Sequence, residues 1–194
     1  MTNSLNIREM ALEILLEVER NGAYPNVLLK QTLDKYLYME KQERAFLTRL
    51  VEGCVERKIT LEYYINSISK TPVNKMKPVI RCIMRMASYQ IFYMDGVPDS
   101  AACNEAVKLA QKKGFHTLKG FVNGVLRNLS RQKDAMMLPD EKKEPVKAMS
   151  VRYSVPEWLV EKICKDYSEE SAEKMFASLY ENVGATSIRV NNSK

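Results

Sequence analysis

The sequence predicts an all-α protein, and three observations carry that prediction. Apolar residues recur at i, i+3, i+4 and i+7 along most of the 194 residues. Asn, Gly and Pro fall between the apolar runs, where they end one helix or open the next. No segment in the first 132 residues alternates apolar and polar in the manner of a strand. The expected architecture is a bundle of about seven helices over residues 1–132, a linker over 133–150, and a region over 151–194 with short helices and one terminal strand.

Each element arises from local chemistry. Asn6 and Glu9 have the spacing of a helix-opening capping pair, and Ile7, Met10, Ala11, Ile14, Leu15 and Val18 then share one face. Asn21-Gly22 ends that helix, and Pro25 suits the first position of the next. The second helix, 25–37, is expected to bury Leu29, Leu33, Tyr36 and Leu37. The third, 40–57, turns Leu47, Leu50, Val51, Cys54 and Val55 inward. The fourth, 60–69, uses Tyr64, Ile65 and Ile68 and stops before Thr71-Pro72. Pro78 opens a fifth that buries Val79, Ile80, Ile83, Met84, Ala87 and Ile91. Asp95-Gly96-Val97-Pro98 is a turn, with Asp99 or Ser100 as cap for a sixth helix, 100–112, rich in alanines that permit close packing. Lys112-Lys113-Gly114 closes it.

The seventh helix, from about 116, holds the stretch on which the bundle turns, Phe121 to Leu129. Phe121, Val122, Val125, Leu126 and Leu129 make its apolar face. Lys119, Asn123, Arg127 and Arg131 succeed one another at i+4 and make a stripe with three cations. Gly124 stands in the middle, at a cost of about 1 kcal/mol relative to alanine, which implies that another backbone or a ligand comes close. Taken alone, the helix also fits a buried element with a solvated edge. Beyond it, Pro139 to Pro145 reads as a solvated connector. Pro156 starts a helix running to about Tyr167 with Trp158, Leu159 and Ile163 inward, and Ser168 caps another with Ala172, Met175, Phe176 and Leu179 inward. Thr186 to Asn191 alternates and is β-branched, as a strand would be.

Charge is concentrated. The net +6 divides into −1 for residues 1–69, +9 for 70–133 and −2 for 134–194. Lys77, Arg81 and Arg85 add a second cationic i+4 stripe to that middle third. A localised positive field attracts polyanions, nucleic acid first among them. No run of about 18 apolar residues exists, so no membrane span is expected, and the polar N-terminus carries no signal segment. Cys54, Cys82, Cys103 and Cys164 form no Cys-x-x-Cys pair and lie in apolar helical patterns, which suits buried thiols in a reducing cytoplasm.

Catalytic constellations are missing. His116 stands alone and reads as a surface or capping residue; no His/Cys cluster has zinc-ligand spacing. No glycine-rich phosphate loop follows a strand, and no carboxylates pair inside an apolar stretch. Tyr89, Phe92, Tyr93, Phe115 and Phe121 interleave with the basic residues, at spacings that favour core packing over base stacking. The chain is expected to bind rather than catalyse, with no catalytic residue, metal or cofactor of its own.

Leu50-Val-Glu-Gly53, Ala87-Ser-Tyr-Gln-Ile91, Val97-Pro98 leading into Asn104-Glu-Ala-Val107, and Phe121-Val-Asn-Gly-Val-Leu-Arg127 together resemble the NusB-like RNA-binding domain, over roughly residues 5–132. Tyr153-Ser-Val-Pro-Glu-Trp-Leu159 with Ile188-Arg-Val-Asn191 resembles the region after this domain in the Sun-type (Fmu) small-subunit ribosomal RNA cytosine-C5 methyltransferases. The resemblance implies an S-adenosylmethionine-dependent parent enzyme whose helical front domain helps hold ribosomal RNA. It also implies a Rossmann-like catalytic part with a Pro-Cys motif and a second cysteine as nucleophile. None of the four cysteines here follows a proline, so no catalytic residue carries over, and an N-terminal fragment is expected. Its partners would be small-subunit ribosomal RNA and, within the parent, the methyltransferase part; no membrane is involved.

The expected mechanism is electrostatic docking of folded RNA. Lys77, Arg81, Arg85, Lys119, Arg127 and Arg131 would neutralise phosphates, which positions RNA without reading its sequence. Asn123 and Asn128 suit a base edge or 2′-hydroxyl, and equally capping or interhelix hydrogen bonds; Arg127 suits RNA or a structural ion pair. Two rival classes stand beside this reading: a stand-alone NusB-type transcription antitermination factor, and a protein-interaction module that docks an acidic partner.

Overall fold

A computed structural model describes residues 6–180. Ten α-helices and no strand occur among them; the strand expected over 186–191 lies outside the described residues. The chain divides into two compact units, Met1–Leu138 and Pro139–Lys194.

The first unit holds the seven helices expected: α1 (Ile7–Asn21), α2 (Pro25–Lys35), α3 (Lys41–Glu56), α4 (Lys58–Ile68), α5 (Pro78–Tyr93), α6 (Asp99–Lys112) and α7 (Lys119–Gln132). The Asn6 side chain accepts the Glu9 N–H at 3.0 Å and opens α1. Gly22, at φ +64°, closes it in the left-handed conformation that costs glycine least. At the centre lies α5, where every residue from Cys82 to Ile91 is buried. Helices α1, α3, α4, α6 and α7 all pack against it. Over this buried stretch the few polar groups must find partners within the protein. Gln90 does so by donating to the Met86 carbonyl at 2.9 Å and accepting from Arg8 Nε at 2.8 Å. Packing on α3 is tightest at Gly53, whose backbone abuts the Tyr89 ring. That ring in turn stacks on Tyr93 with centroids 5.3 Å apart.

Four expectations for this unit need correction. Helix α2 stops at Lys35, so Leu37 lies beyond it and is exposed. Val55 faces outward from the last turn of α3. Helix α4 starts at Lys58, directly after α3, and this earlier start brings Thr60 and Leu61 into the core. Asp99 does not cap α6: Pro98 holds that position with no side-chain bond, while Asp99 accepts from Ser130 Oγ at 2.8 Å.

The second unit contains α8 (Pro145–Tyr153), α9 (Glu157–Asp166) and α10 (Glu169–Ser178). Helix α8 takes up the last third of the stretch expected as linker, residues 145–150, because Pro145 can start a helix as readily as interrupt one. Ser168 opens α10 by accepting the Ser171 N–H at 3.2 Å. Among the described residues its buried apolar side chains are few: Val155, Val160, Ala172 and Phe176 form one cluster, and Ala148 and Val151 of α8 are buried as well. Trp158, expected inward, is 65% exposed; Met175 and Leu179 are exposed as well. The helix phase explains Trp158: it lies two residues, or roughly 200°, from the buried Val160.

Candidate nucleic-acid interface

Helix α5 carries the stripe Lys77–Arg81–Arg85, and the fold divides it. Lys77 precedes the helix and is exposed. Arg81 and Arg85 point toward α1 and α4, where Glu19 and Glu62 meet them. Arg81 Nε lies 2.7 Å from Glu19 Oε1, and Arg85 Nη1 lies 2.5 Å from Glu19 Oε2. Arg85 Nη2 pairs with Glu62. The Arg85 side chain is 9% exposed, so its charge is matched inside the bundle. The expectation that Lys77, Arg81 and Arg85 together neutralise phosphates is corrected for Arg85, which is buried against Glu19 and Glu62, while Arg81 shares Glu19.

Helix α7 behaves differently. Val122, Val125, Leu126 and Leu129 are buried and Phe121 partly so, which turns the opposite face to solvent. Lys119, Asn123 and Arg131 are exposed there and Arg127 half-buried. Arg127 is held by neutral groups: Nη2 donates to Asn104 Oδ1 on α6 at 3.1 Å, and Nε to Asn123 Oδ1 at 3.4 Å. Those amide oxygens orient the guanidinium and leave its charge uncancelled. Lys119, Arg127 and Arg131 make no ion pair among the described residues. By contrast Lys108, Lys112, Lys113 and Lys133 are tied to Glu105, Glu9, Glu13 and Asp99. The acids within reach go to neighbouring lysines, and the α7 stripe keeps its field.

Asn104 was not among the candidate contacts expected from spacing. Its place on one helix face with Lys108 and Lys112, at i+4 and i+8, was the available signal, but only the α6–α7 packing sets it beside Arg127. Asn128 accepts from Gln132 Nε2 at 2.9 Å. The close backbone neighbour expected at Gly124 is absent: a Cβ there, or at Gly120, would meet no atom within 4 Å. Both glycines instead border a shallow depression of about 310 Å³ with Lys70, Thr71 and Asn128. The helix backbone is open on this side, and a flat polyanion can approach it without a clash.

Other chemistry is sparse. His116 is exposed in a one-turn 3-10 helix, His116–Leu118. Among the described residues no three His, Cys, Asp or Glu side chains are placed to hold a metal, and no helix is long and apolar enough to cross a membrane. Burial pushes the Cys54 thiol far up and the Cys82 thiol up to about 12. Reactivity follows the thiolate, so native protein at pH 8 is expected to alkylate first at Cys164, the one thiol not fully buried. Mass mapping of iodoacetamide adducts checks this; adducts on Cys54 before Cys164 would contradict the packing described.

Comparison with known proteins places this geometry in context. The NusB family pattern matches residues 5–131. The "Probable ribosomal RNA small subunit methyltransferase B" of Bacillus subtilis is 38% identical over 170 residues, which cover 88% of this chain and 37% of that protein. The "Transcription antitermination protein NusB" of Kineococcus radiotolerans is 31% identical over 130 residues, covering 66% of this chain and 93% of that one. The fold is similar to that in a crystal structure of antitermination factors NusB and NusE with double-stranded RNA, with a TM-score of 0.58 over 64% of this chain and 93% of that one, at 19% identity. The chain spans well under half the length of the Bacillus methyltransferase relative.

Proposed function

The chain belongs to the NusB family, and from that premise we propose that it docks folded RNA on the solvent face of α7, with Lys119, Arg127 and Arg131 on phosphates. One observation carries the reading: Arg127 is aimed by two amide oxygens rather than neutralised by a carboxylate. A charge held in place and left uncompensated suits an oxyanion supplied from outside. Lys77, exposed at the start of α5, would extend the same field, and Asn123 would orient Arg127 rather than read a base.

The similarity to ribosomal RNA small subunit methyltransferases B supports a finer statement. In it the chain holds small-subunit ribosomal RNA for cytosine-C5 methylation in the reducing cytoplasm, and the S-adenosylmethionine chemistry belongs to a methyltransferase part in the same protein. Among the described residues no strand leads into a glycine-rich loop that could cradle that cofactor, so no step here runs through it. The antitermination reading is second: the described chain continues past the bundle into α8, α9 and α10, and the match to the Bacillus relative is longer than that to the antitermination protein.

Binding to a small-subunit ribosomal RNA hairpin across a salt series tests the docking face. Each phosphate contact contributes about 0.7–0.9 to the log–log slope, so a Lys119→Ala/Arg127→Ala/Arg131→Ala variant is expected to lower the slope by about 2 or more. A variant with the parental slope would move the interface elsewhere.

A further inference from the structure

Helices α1, α3, α4 and α5 meet around a hollow of about 690 Å³, a size common for small-molecule sites. Leu15, Val18, Val55 and Pro78 supply its apolar lining, Leu15 buried and the other three partly exposed. This hollow accounts for the outward Val55, which lines it. Cys54 and Cys82 also face it; burial keeps both as neutral thiols, so they add no negative charge.

The remaining lining is charged, and the balance is positive. Glu19 and Glu62 are both engaged by Arg81 and Arg85. Arg20, in the last turn of α1, and Lys58, at the first position of α4, have no ion-pair partner among the described residues. Two carboxylates against four cations leave a charge of +2 around the hollow. Arg85, more than nine-tenths buried, presents an Nε–H with no acceptor in the protein. Buried donors of this kind are ordinarily satisfied, so this one is an unmet demand for an oxygen.

We infer that this hollow binds a nucleotide, with the base against Val18, Val55 and Pro78 and the phosphate between Arg20 and Lys58. The two free cations match a phosphate dianion in charge, and they come from separate helices, so several phosphate oxygens are engaged at once. Val18, Val55 and Pro78 add what inorganic phosphate does not use: solvent-accessible apolar surface against which a flat ring can lie. The nucleotide is either an unstacked residue of bound RNA or a free mononucleotide; the chemistry is shared. The site is separate from the α7 face and does not depend on it.

Methyl NMR of Val18 and Val55 reads occupancy directly. Uridine and adenosine 5′-monophosphates are expected to shift these methyls. Arg20→Ala/Lys58→Ala is expected to weaken that response at least tenfold, since both side chains are exposed and unpaired and their loss leaves the core intact. Lys119→Ala/Arg127→Ala/Arg131→Ala is expected to leave it unchanged, which separates failure of this site from failure of the α7 interface. A short single-stranded oligoribonucleotide that shifts the same methyls at lower concentration than the monophosphates assigns the source as RNA; the reverse order assigns free nucleotide. Methyls unmoved at millimolar nucleotide overturn the inference. So do an equal response to inorganic phosphate alone, and a response to an acidic peptide in place of nucleotides.

Discussion

Gly53→Ala is expected to destabilise the first unit by about 2–3 kcal/mol, the range found when extra atoms are forced into a packed core. Alanine in a helix interior is ordinarily favoured over glycine by about 1 kcal/mol, so local propensity predicts the opposite sign. Contact geometry decides the outcome. The new Cβ would fall within the Tyr89 ring, and that ring cannot swing away freely because it is buried and stacked on Tyr93. Far-UV circular dichroism melts check it: a fall in melting temperature of roughly 5–10 °C is expected for a chain of this size. Pairing the change with Tyr89→Ala should recover part of the loss, as a double-mutant cycle between touching residues requires. A Gly53→Ala protein as stable as the parent would mean that α3 and α5 lie farther apart than described.

Arg85→Ala is expected to cost more, about 3–5 kcal/mol, because one buried guanidinium serves Glu19 and Glu62 together and its loss leaves Glu62 unpaired and Glu19 with Arg81 alone. Arg81→Ala should cost less, since Arg81 is more exposed and Glu19 retains Arg85. Urea denaturation with a shared slope would order the two variants. Replacing the whole cluster by Arg85→Met/Glu19→Gln/Glu62→Gln should recover much of the loss, since it is the orphaned charge that destabilises. The same Arg85→Ala protein, assayed on RNA under conditions where it is folded, should keep the parental salt slope. A lower slope with unchanged stability would return Arg85 to the phosphate surface.

Why the α5 stripe and the α7 stripe diverge shows where local sequence reasoning stops. Both have cations at i+4, and both lie on helices whose other faces are apolar. The difference lies in Glu19 and Glu62, the first of them 66 residues before Arg85, which only the packing of α1 and α4 brings to α5. Spacing within a helix says which side chains share a face; it says nothing of what that face meets. Helix number and type in the first unit were readable because Asn6, Gly22, Pro25 and Pro78 punctuate the chain with local chemistry. Boundaries were less so, and each shift changed what is buried: ending α2 at Lys35 frees Leu37, and starting α4 at Lys58 buries Leu61. In the second unit the largest apolar side chain was a poor guide. Trp158 suggested the inward face of α9, whereas Val160, fully buried in a small cluster, occupies it.

The exposed Trp158 has a practical consequence for every folding experiment on this chain. It is the only tryptophan in the sequence, and it lies in the second unit, at 65% exposure. Intrinsic indole emission therefore starts near its fully hydrated colour and reports on α9 alone. Ellipticity is dominated by the seven helices of the first unit. A fluorescence melt and a dichroism melt of the same sample thus watch different parts of the molecule. Their coincidence would demonstrate cooperativity across the Leu138–Pro139 boundary rather than merely assume it.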